Sequence, residues 1–244
     1  MTGWVHSLRW AGGLLLALLL SACATGPNAN PADPLEPLNR AVYQFNDGLD
    51  RAVFKPVATV YRDVTPSLIR RGVGNFFNNL EDLWSFVNNL LQLKGQAAGE
   101  SLMRVNVNTL FGLGGIFDLA TDLQIERHTE DFGQTLGHWG VGAGPYIVLP
   151  ILGPSTLRDT VALPVDFKGD AVVQIDDVPK RNAAVVLRAV NQRAELLKAS
   201  TMLEEAALDR YTFLRDAYLQ RRRNSVYDGN PPEEELPQEG ESPQ

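Results

Sequence analysis

Cysteine is all but missing from this chain: it holds one, Cys23, so no intramolecular disulfide can form. Histidine is scarce too, and beyond the N-terminal segment only His128 and His138 occur. His128 stands in HTED beside Glu130 and Asp131, residue types suited to acid/base or metal work. Their spacing matches no metal motif, and no serine sits in a Gly-x-Ser-x-Gly elbow, so the chain reads as no enzyme, with no catalytic residue and no metal. Thr129 and Glu130 read instead as the start of a helix. Long apolar runs are also lacking. The N-terminal one, Ala11 to Leu20, falls well short of the roughly 20 residues that span a bilayer. Nor is there a basic field. The formal net charge is −7, and six of the acids crowd into residues 228–244, which hold no base. The rest is nearly neutral, which excludes a global electrostatic footprint for nucleic acid.

What is present begins with a core-forming composition, 44% hydrophobic and 21% charged, which excludes disorder of the whole chain. Residues 1–22 join Arg9, the short apolar run and then small residues, the pattern of an export signal. It ends Leu20-Ser21-Ala22-Cys23, which resembles a bacterial lipobox, where the thiol is acylated and becomes the new N-terminus. Acyl chains on Cys23 would contribute ~0.8 kcal/mol per buried methylene, ample for anchoring. The alternative is an ordinary cleavage nearby that leaves an incidental cysteine. By resemblance to enterobacterial lipoproteins, Ala24 in place of Asp implies sorting to the outer membrane. Residues 23–32, rich in Pro, Asn and Gly, suit a flexible tether, and residues 228–244 a disordered acidic tail.

Between them, residues 33–227 read as one mostly α domain. Leu38, Val42, Phe45, Leu49 and Val53 recur at helical spacing until Pro56, which is expected to end the helix. A second helix is expected from Thr65-Pro66, with Thr65 as cap and an apolar stripe of Ile69, Val73, Phe76, Leu80, Leu83 or Trp84, Val87 and Leu91; Asn78-Asn79 would split it. Further helices are expected over 96–110, 116–123, 179–198 and 201–218, the last opened by a Thr201/Glu204 capping box, with Leu203, Ala207, Tyr211, Leu214 and Tyr218 as its buried stripe. Only YIVLPI, residues 146–151, reads as extended, one arm of a small β-hairpin with the segment around Val141.

Two segments are unusual. From Phe132 to Leu157 no residue carries a formal charge if His138 is neutral, and six glycines and three prolines forbid a regular membrane helix there. Either a core hairpin wrapped by helices or a surface meeting lipid headgroups fits this stretch. The second segment, NFFNN at residues 75–79, sets amides beside aromatics. Its asparagines suit helix caps, or equally a passage that admits both a polar head and an acyl tail.

ADPLEPLNRAVYQFND, NFFNNL and above all EDFGQTLGHWGVGAGPYIVLPILGPSTLRD closely resemble the MlaA (VacJ) family of outer-membrane lipoproteins, over about residues 32–220. The resemblance implies a ring-shaped helical fold embedded in the inner leaflet of the Gram-negative outer membrane around an amphipathic channel. It implies removal of mislocalised phospholipid from the outer leaflet, beside a trimeric porin, and delivery to a periplasmic MlaC-like carrier. Phospholipid would be the transported ligand and the lipid on Cys23 the one attached group, with no cofactor. Phe76, Phe77 and Asn78 are then expected at the channel or its gate. Gly142, Gly144, Pro145, Tyr146, Leu149 and Leu152 are expected in its wall, with backbone close approach at the glycines and apolar surface from Tyr146, Leu149 and Leu152. Arg158-Asp159 reads as a helix start or an ion-pair network, and Arg221-Arg222-Arg223 as cations closing the last helix or, alternatively, contacting headgroups. A scaffolding lipoprotein of a porin or envelope complex, without lipid translocation, is the rival reading.

Overall fold

The structure, a computed structural model, describes residues 33–233, excluding the side chains of residues 205 and 206. The signal segment, Cys23, the tether and residues 234–244 of the 228–244 tail lie outside the described residues; at the start of that tail Asp228 pairs with Lys94 at 2.5 Å. The chain forms α1 (Glu36–Leu49), a single π-helical turn (Asp50–Phe54), α2 (Lys55–Val64), α3 (Ser67–Leu91), α4 (Gly95–Leu110), α5 (Leu119–Asp122), α6 (Phe132–His138), β1 (Tyr146–Leu149), β2 (Gly153–Thr156), α7 (Leu157–Gly169), α8 (Val178–Ala206) and α9 (Arg210–Val226).

Pro56 does not end the first helix. In the π turn before it the Lys55 N–H reaches back to Asp50 O, and this wider turn makes room at the start of α2 for a ring that would clash in a regular helix. Nor does Asn78-Asn79 split α3, which runs unbroken for 25 residues, about 37 Å at 1.5 Å per residue. Pro66, not Thr65, is its cap residue. Thr201 and Glu204 form no capping box: they lie inside α8, where the Thr201 hydroxyl donates to Leu197 O, and α9 starts later, its first N–H groups received by Asp209. The stripe from Leu203 to Tyr218 is therefore divided between two helices. The hairpin partner of β1 is not the Val141 segment but β2, in antiparallel register Tyr146↔Thr156 to Leu149↔Gly153. Two helices escape the apolar periodicity. Asp131 caps α6 by accepting from Gln134 N at 2.8 Å, and Thr156 caps α7 by accepting from Asp159 N at 3.2 Å.

The packing closes on itself. Strand β1 lies on α1, which runs into α2; α2 packs on α8, α8 on α3, α3 on α6, α6 on α7 and α7 on β2, the partner of β1. Helix α4 is added to α3, and α9 to α6 and β2. The result is a ring of elements, not a bundle about one core, and its apolar cores are accordingly small and separate. One is Ala58 with Ala194 and Leu197; the other is Tyr146, Val148 and Tyr211. Around α3 and α4 the usual polarity is inverted. Asn79, Asp82, Ser85, Asn88 and Asn89 of α3 and Ser101, Arg104 and Asn108 of α4 are buried, while Leu68, Ile69, Leu90, Leu102, Met103, Leu110 and Phe111 are exposed. The periodic stripe of α3 is real, and much of it faces outward. Among the described residues no helix is long and apolar enough to cross a membrane.

Candidate lipid passage

The asparagines of α3 are mostly neither caps nor wall. Asn79 Nδ2 donates to Thr109 Oγ1 (3.0 Å) on α4, Asn75 Nδ2 to Ile116 O (3.0 Å), and Asn88 Oδ1 accepts from Thr135 Oγ1 (2.8 Å) on α6. Directional bonds thus hold helices whose apolar sides point outward. Asp82 completes the inner face by receiving Arg104 Nε at 3.3 Å and Arg127 Nε at 2.7 Å. Buried charges are tolerated only in such paired, hydrogen-bonded form.

One α3 residue does more. Phe77, 7% exposed, borders two unlike cavities, one apolar and one lined by charged and apolar groups together. The first, about 600 Å³, is apolar and lies among Leu68, Ile69, Val73, Phe76, Ile116, Phe117 and Leu187. The second, about 340 Å³, has a mixed wall in which the polar groups of Asn78, Glu81, Glu130, Asp131, Asp166, Asp170 and Arg188 stand beside Leu80, Trp84 and Phe167. The ring of Phe77 stands edge-on to that of Phe76 (centroids 5.4 Å apart, 70°), and the Arg188 guanidinium lies 6.0 Å from its centroid. A molecule with a greasy part and a polar part would find a chamber for each, with one aromatic ring between.

The polar chamber is built by convergence of α3, the α5–α6 connection, α7 and α8. Arg188 grips Asp170 at 3.0 and 2.6 Å, Arg222 grips Asp131 at 2.6 Å twice, Lys94 meets Glu130 at 3.1 Å and Arg127 meets Glu81 at 2.9 Å. Asp166 has no ion-pair partner among the described residues; its Oδ1 accepts from Trp84 Nε1 and from Phe132 N, each at 2.8 Å. Gly169 lets this happen, because a Cβ there would lie 2.2 Å from the indole. Burial pushes the Asp166 carboxyl above its ordinary range, and the two donors offset this only partly. Glu130 is pushed up by burial too, against the pull of Gln92 and Lys94.

Of the residues the sequence put forward, Phe76, Phe77 and Asn78 come together at these chambers. The residues proposed from the Gly/Pro-rich stretch border neither chamber. Tyr146 presents no apolar surface: it is 1% exposed, packed edge-on against Tyr211 (6.3 Å) and tilted against Tyr218 (6.1 Å), and burial pushes its phenol up to about 12. Gly142 is no point of close approach either, since a Cβ there would meet open space. Gly144, at φ +68°, does approach Leu157, and the Pro145 carbonyl accepts from Leu157 N at 3.0 Å. Leu149 is half-buried, its carbonyl accepting from Asn46 Nδ2 at 2.9 Å, and Leu152 is 58% exposed just beyond the strand turn. Of the two readings of this stretch, its inner face is core and its tip is exposed. Arg158-Asp159 is both a helix start and part of a network: Asp159 receives Arg222 at 2.8 and 2.9 Å, Arg158 at 2.9 Å and Tyr218 Oη at 3.0 Å. Asp166, Asp170 and Arg188 went unforeseen; the signal available was a lone acid in the apolar VALPVDF. His128 borders neither chamber. It bonds Glu100 at 2.5 Å, and with Glu126 these form the one group of three metal-ligand types found close together among the described residues.

Comparison with known proteins places the ring. Residues 31–225 match the family model described as MlaA lipoprotein. The chain belongs to the MlaA family. It is 36% identical over 220 residues to the intermembrane phospholipid transport system lipoprotein MlaA of Escherichia coli strain K12, covering 88% of this chain and 87% of that protein. With the Haemophilus influenzae MlaA it shares 35% over 225 residues, 88% and 89% of the two chains. A solved chain from work on the structural basis for maintenance of bacterial outer membrane lipid asymmetry superposes with TM-score 0.70 at 35% identity, covering 81% of this chain and 99% of that one. The MlaA fold, a single mostly helical domain with a two-stranded hairpin, is thus the fold of this chain.

Proposed function

We propose that this MlaA protein removes mislocalised phospholipid from the outer leaflet of the outer membrane through an amphipathic passage at Phe77 and hands it to a periplasmic carrier. The observation that carries this reading is the pair of unlike chambers meeting at one aromatic ring. A phospholipid has on the order of 30 acyl methylenes, so exposing them to water at ~0.8 kcal/mol each costs tens of kcal/mol. Dragging its charged head through hydrocarbon is prohibitive in turn. A protein sunk in one leaflet, with a greasy and a polar chamber side by side, lowers both costs without covalent chemistry. The outward leucines and phenylalanines of α3 and α4 support that immersion. Acylation at Cys23 would anchor it, and a trimeric porin would hold it in place.

Complementation of a deletion strain tests this. Phe77→Ala is expected to change surface-accessible phospholipid, measured by labelling intact cells, while the folded protein still co-purifies with its porin. Unchanged lipid asymmetry both in that variant and in the deletion would favour a scaffold without translocation.

A further inference from the structure

The headgroup chamber is not neutral in its preferences. Four of its five carboxylates contact a cation: Glu81 meets Arg127, Glu130 Lys94, Asp131 Arg222 and Asp170 Arg188, although Arg127, Lys94 and Arg222 each serve a further acid, Asp82, Asp228 and Asp159. Asp166 is left over. Its Oδ1 is occupied by two fixed donors, the Trp84 indole and the Phe132 amide, whereas Oδ2 receives no hydrogen bond from the described residues. The chamber therefore holds one carboxylate that no cation contacts, Arg222 acting on it only from beyond ion-pair distance, with one oxygen pinned and the other available. No second and third ligand of metal type converge on it, since among the described residues that convergence occurs only at Glu100, Glu126 and His128. A single charge with a single free acceptor suits one ammonium group. The apolar chamber across Phe77 suits acyl chains attached to it.

We infer that Asp166 is a specificity-determining residue that receives the ammonium of a zwitterionic aminophospholipid and disfavours anionic phospholipids. This rests on the proposed passage at Phe77 and adds to it a headgroup class. An anionic head in the same chamber would bring a second uncompensated negative charge next to the first, and like charges in a partly desolvated site repel. The residue is also held at a cost: a carboxyl that burial pushes up would be more comfortable neutral, so its charge is not explained by stability.

The test uses the full acylated chain, extracted from vesicles containing equal phosphatidylethanolamine and phosphatidylglycerol, with the lipid retained through gel filtration counted by mass spectrometry. Wild type is expected to retain phosphatidylethanolamine about tenfold over phosphatidylglycerol, the factor that ~1.4 kcal/mol supplies. Asp166→Asn keeps an Oδ1 for both donors and loses only the charge, so it should retain as much lipid in near-equal proportions, with Tm unchanged or raised. Equal retention by wild type would overturn the headgroup assignment while leaving the passage standing. A preference that survives in Asp166→Asn, or a variant with lowered Tm and less lipid of both kinds, would remove Asp166 from the role. Wild type that retains no lipid would overturn the passage itself, and this inference with it. Glycerophosphoethanolamine, which has the head without the chains, should be lost on the column; retention of it as firmly as the lipid would overturn the assignment to a membrane lipid.

Discussion

The α3–α4 hairpin and the quarter of the ring around β1, β2 and α9 are built for different solvents. In the first, amides, Asp82 and Arg104 point inward, and leucines, Met103 and Phe111 point outward. In the second, Tyr43, Tyr146, Val148, Tyr211 and Tyr218 turn inward around the hairpin, while Asp216, Gln220, Arg221 and Asn224 of α9 face out. The second comes closer to the ordinary rule for water, where burial of apolar area is the driving term, although Ile151, Leu152 and Phe213 stay exposed and Arg158, Asp159 and Arg215 are buried. The first cannot be driven that way, because its apolar area stays outside, and it relies on directional bonds such as Asn79 to Thr109. One continuous ring thus has a side whose apolar residues point outward and a side whose polar residues do.

The largest expected effect falls where the water-like quarter buries its charges. Arg222 holds both Asp131 and Asp159. Arg222→Met leaves Asp131 without its cation and Asp159 with Arg158 alone, and removing one partner from a buried pair such as Arg222–Asp159 costs about 3–5 kcal/mol. Denaturant unfolding should show it as a large drop in midpoint. Phe77→Ala comes next, at about 3 kcal/mol, the lower part of the range for deleting a buried aromatic, because its ring already borders open chambers. A loss in stability as large as that of Arg222→Met would mean that Phe77 is simply core.

Acid should separate the two sides by sign. Burial works against the ionised Asp159, but Arg222 and then Arg158 outweigh it and hold the carboxyl below its ordinary value. A depressed native pKa contributes stability that is fully present above the unfolded value of about 3.9 and is lost as pH falls through the native one. For Asp166, which burial pushes up, ionisation costs stability at neutral pH, and protonation relieves that cost as pH falls through its raised native value. Melting curves between neutral pH and pH 3 should therefore show Asp166→Asn gaining most over wild type at neutral pH, with the gap closing as wild-type Asp166 protonates. A gap that widens on acidification would contradict the direction assigned to Asp166.

Much of this contrast is legible in the sequence, but not its direction. The spacing of Ile69, Val73, Phe76 and Leu80 announces a helical stripe, yet periodicity is the same whether a stripe faces core or lipid. Pro56 and the Thr201/Glu204 pair misled for a similar reason: each obeys a local rule that its neighbours override, a π turn in one case and the uninterrupted α8 in the other. The NFFNN segment gave up Phe77 because bulky rings beside amides are conspicuous. Asp166 stayed hidden because a lone acid in an apolar stretch is a weak mark, and its meaning comes from Trp84, Phe132 and the lack of an ion-pair contact, all fixed by ring closure.

The smallest effect on stability should come from the outward face. Leu110 and Phe111 are among the most exposed large apolar residues of the ring. Replacing both with Gln removes no buried contact, so in solution the unfolding free energy should stay within about 0.5 kcal/mol of wild type. In a membrane the same change withdraws apolar area from hydrocarbon at roughly 25 cal/mol per Å². Flotation of a non-acylated chain with vesicles should fall even though its melting curve does not move. If instead the melting curve shifts and flotation holds, the leucines of α3 and α4 are packed against protein, and the two sides of the ring share one solvent after all.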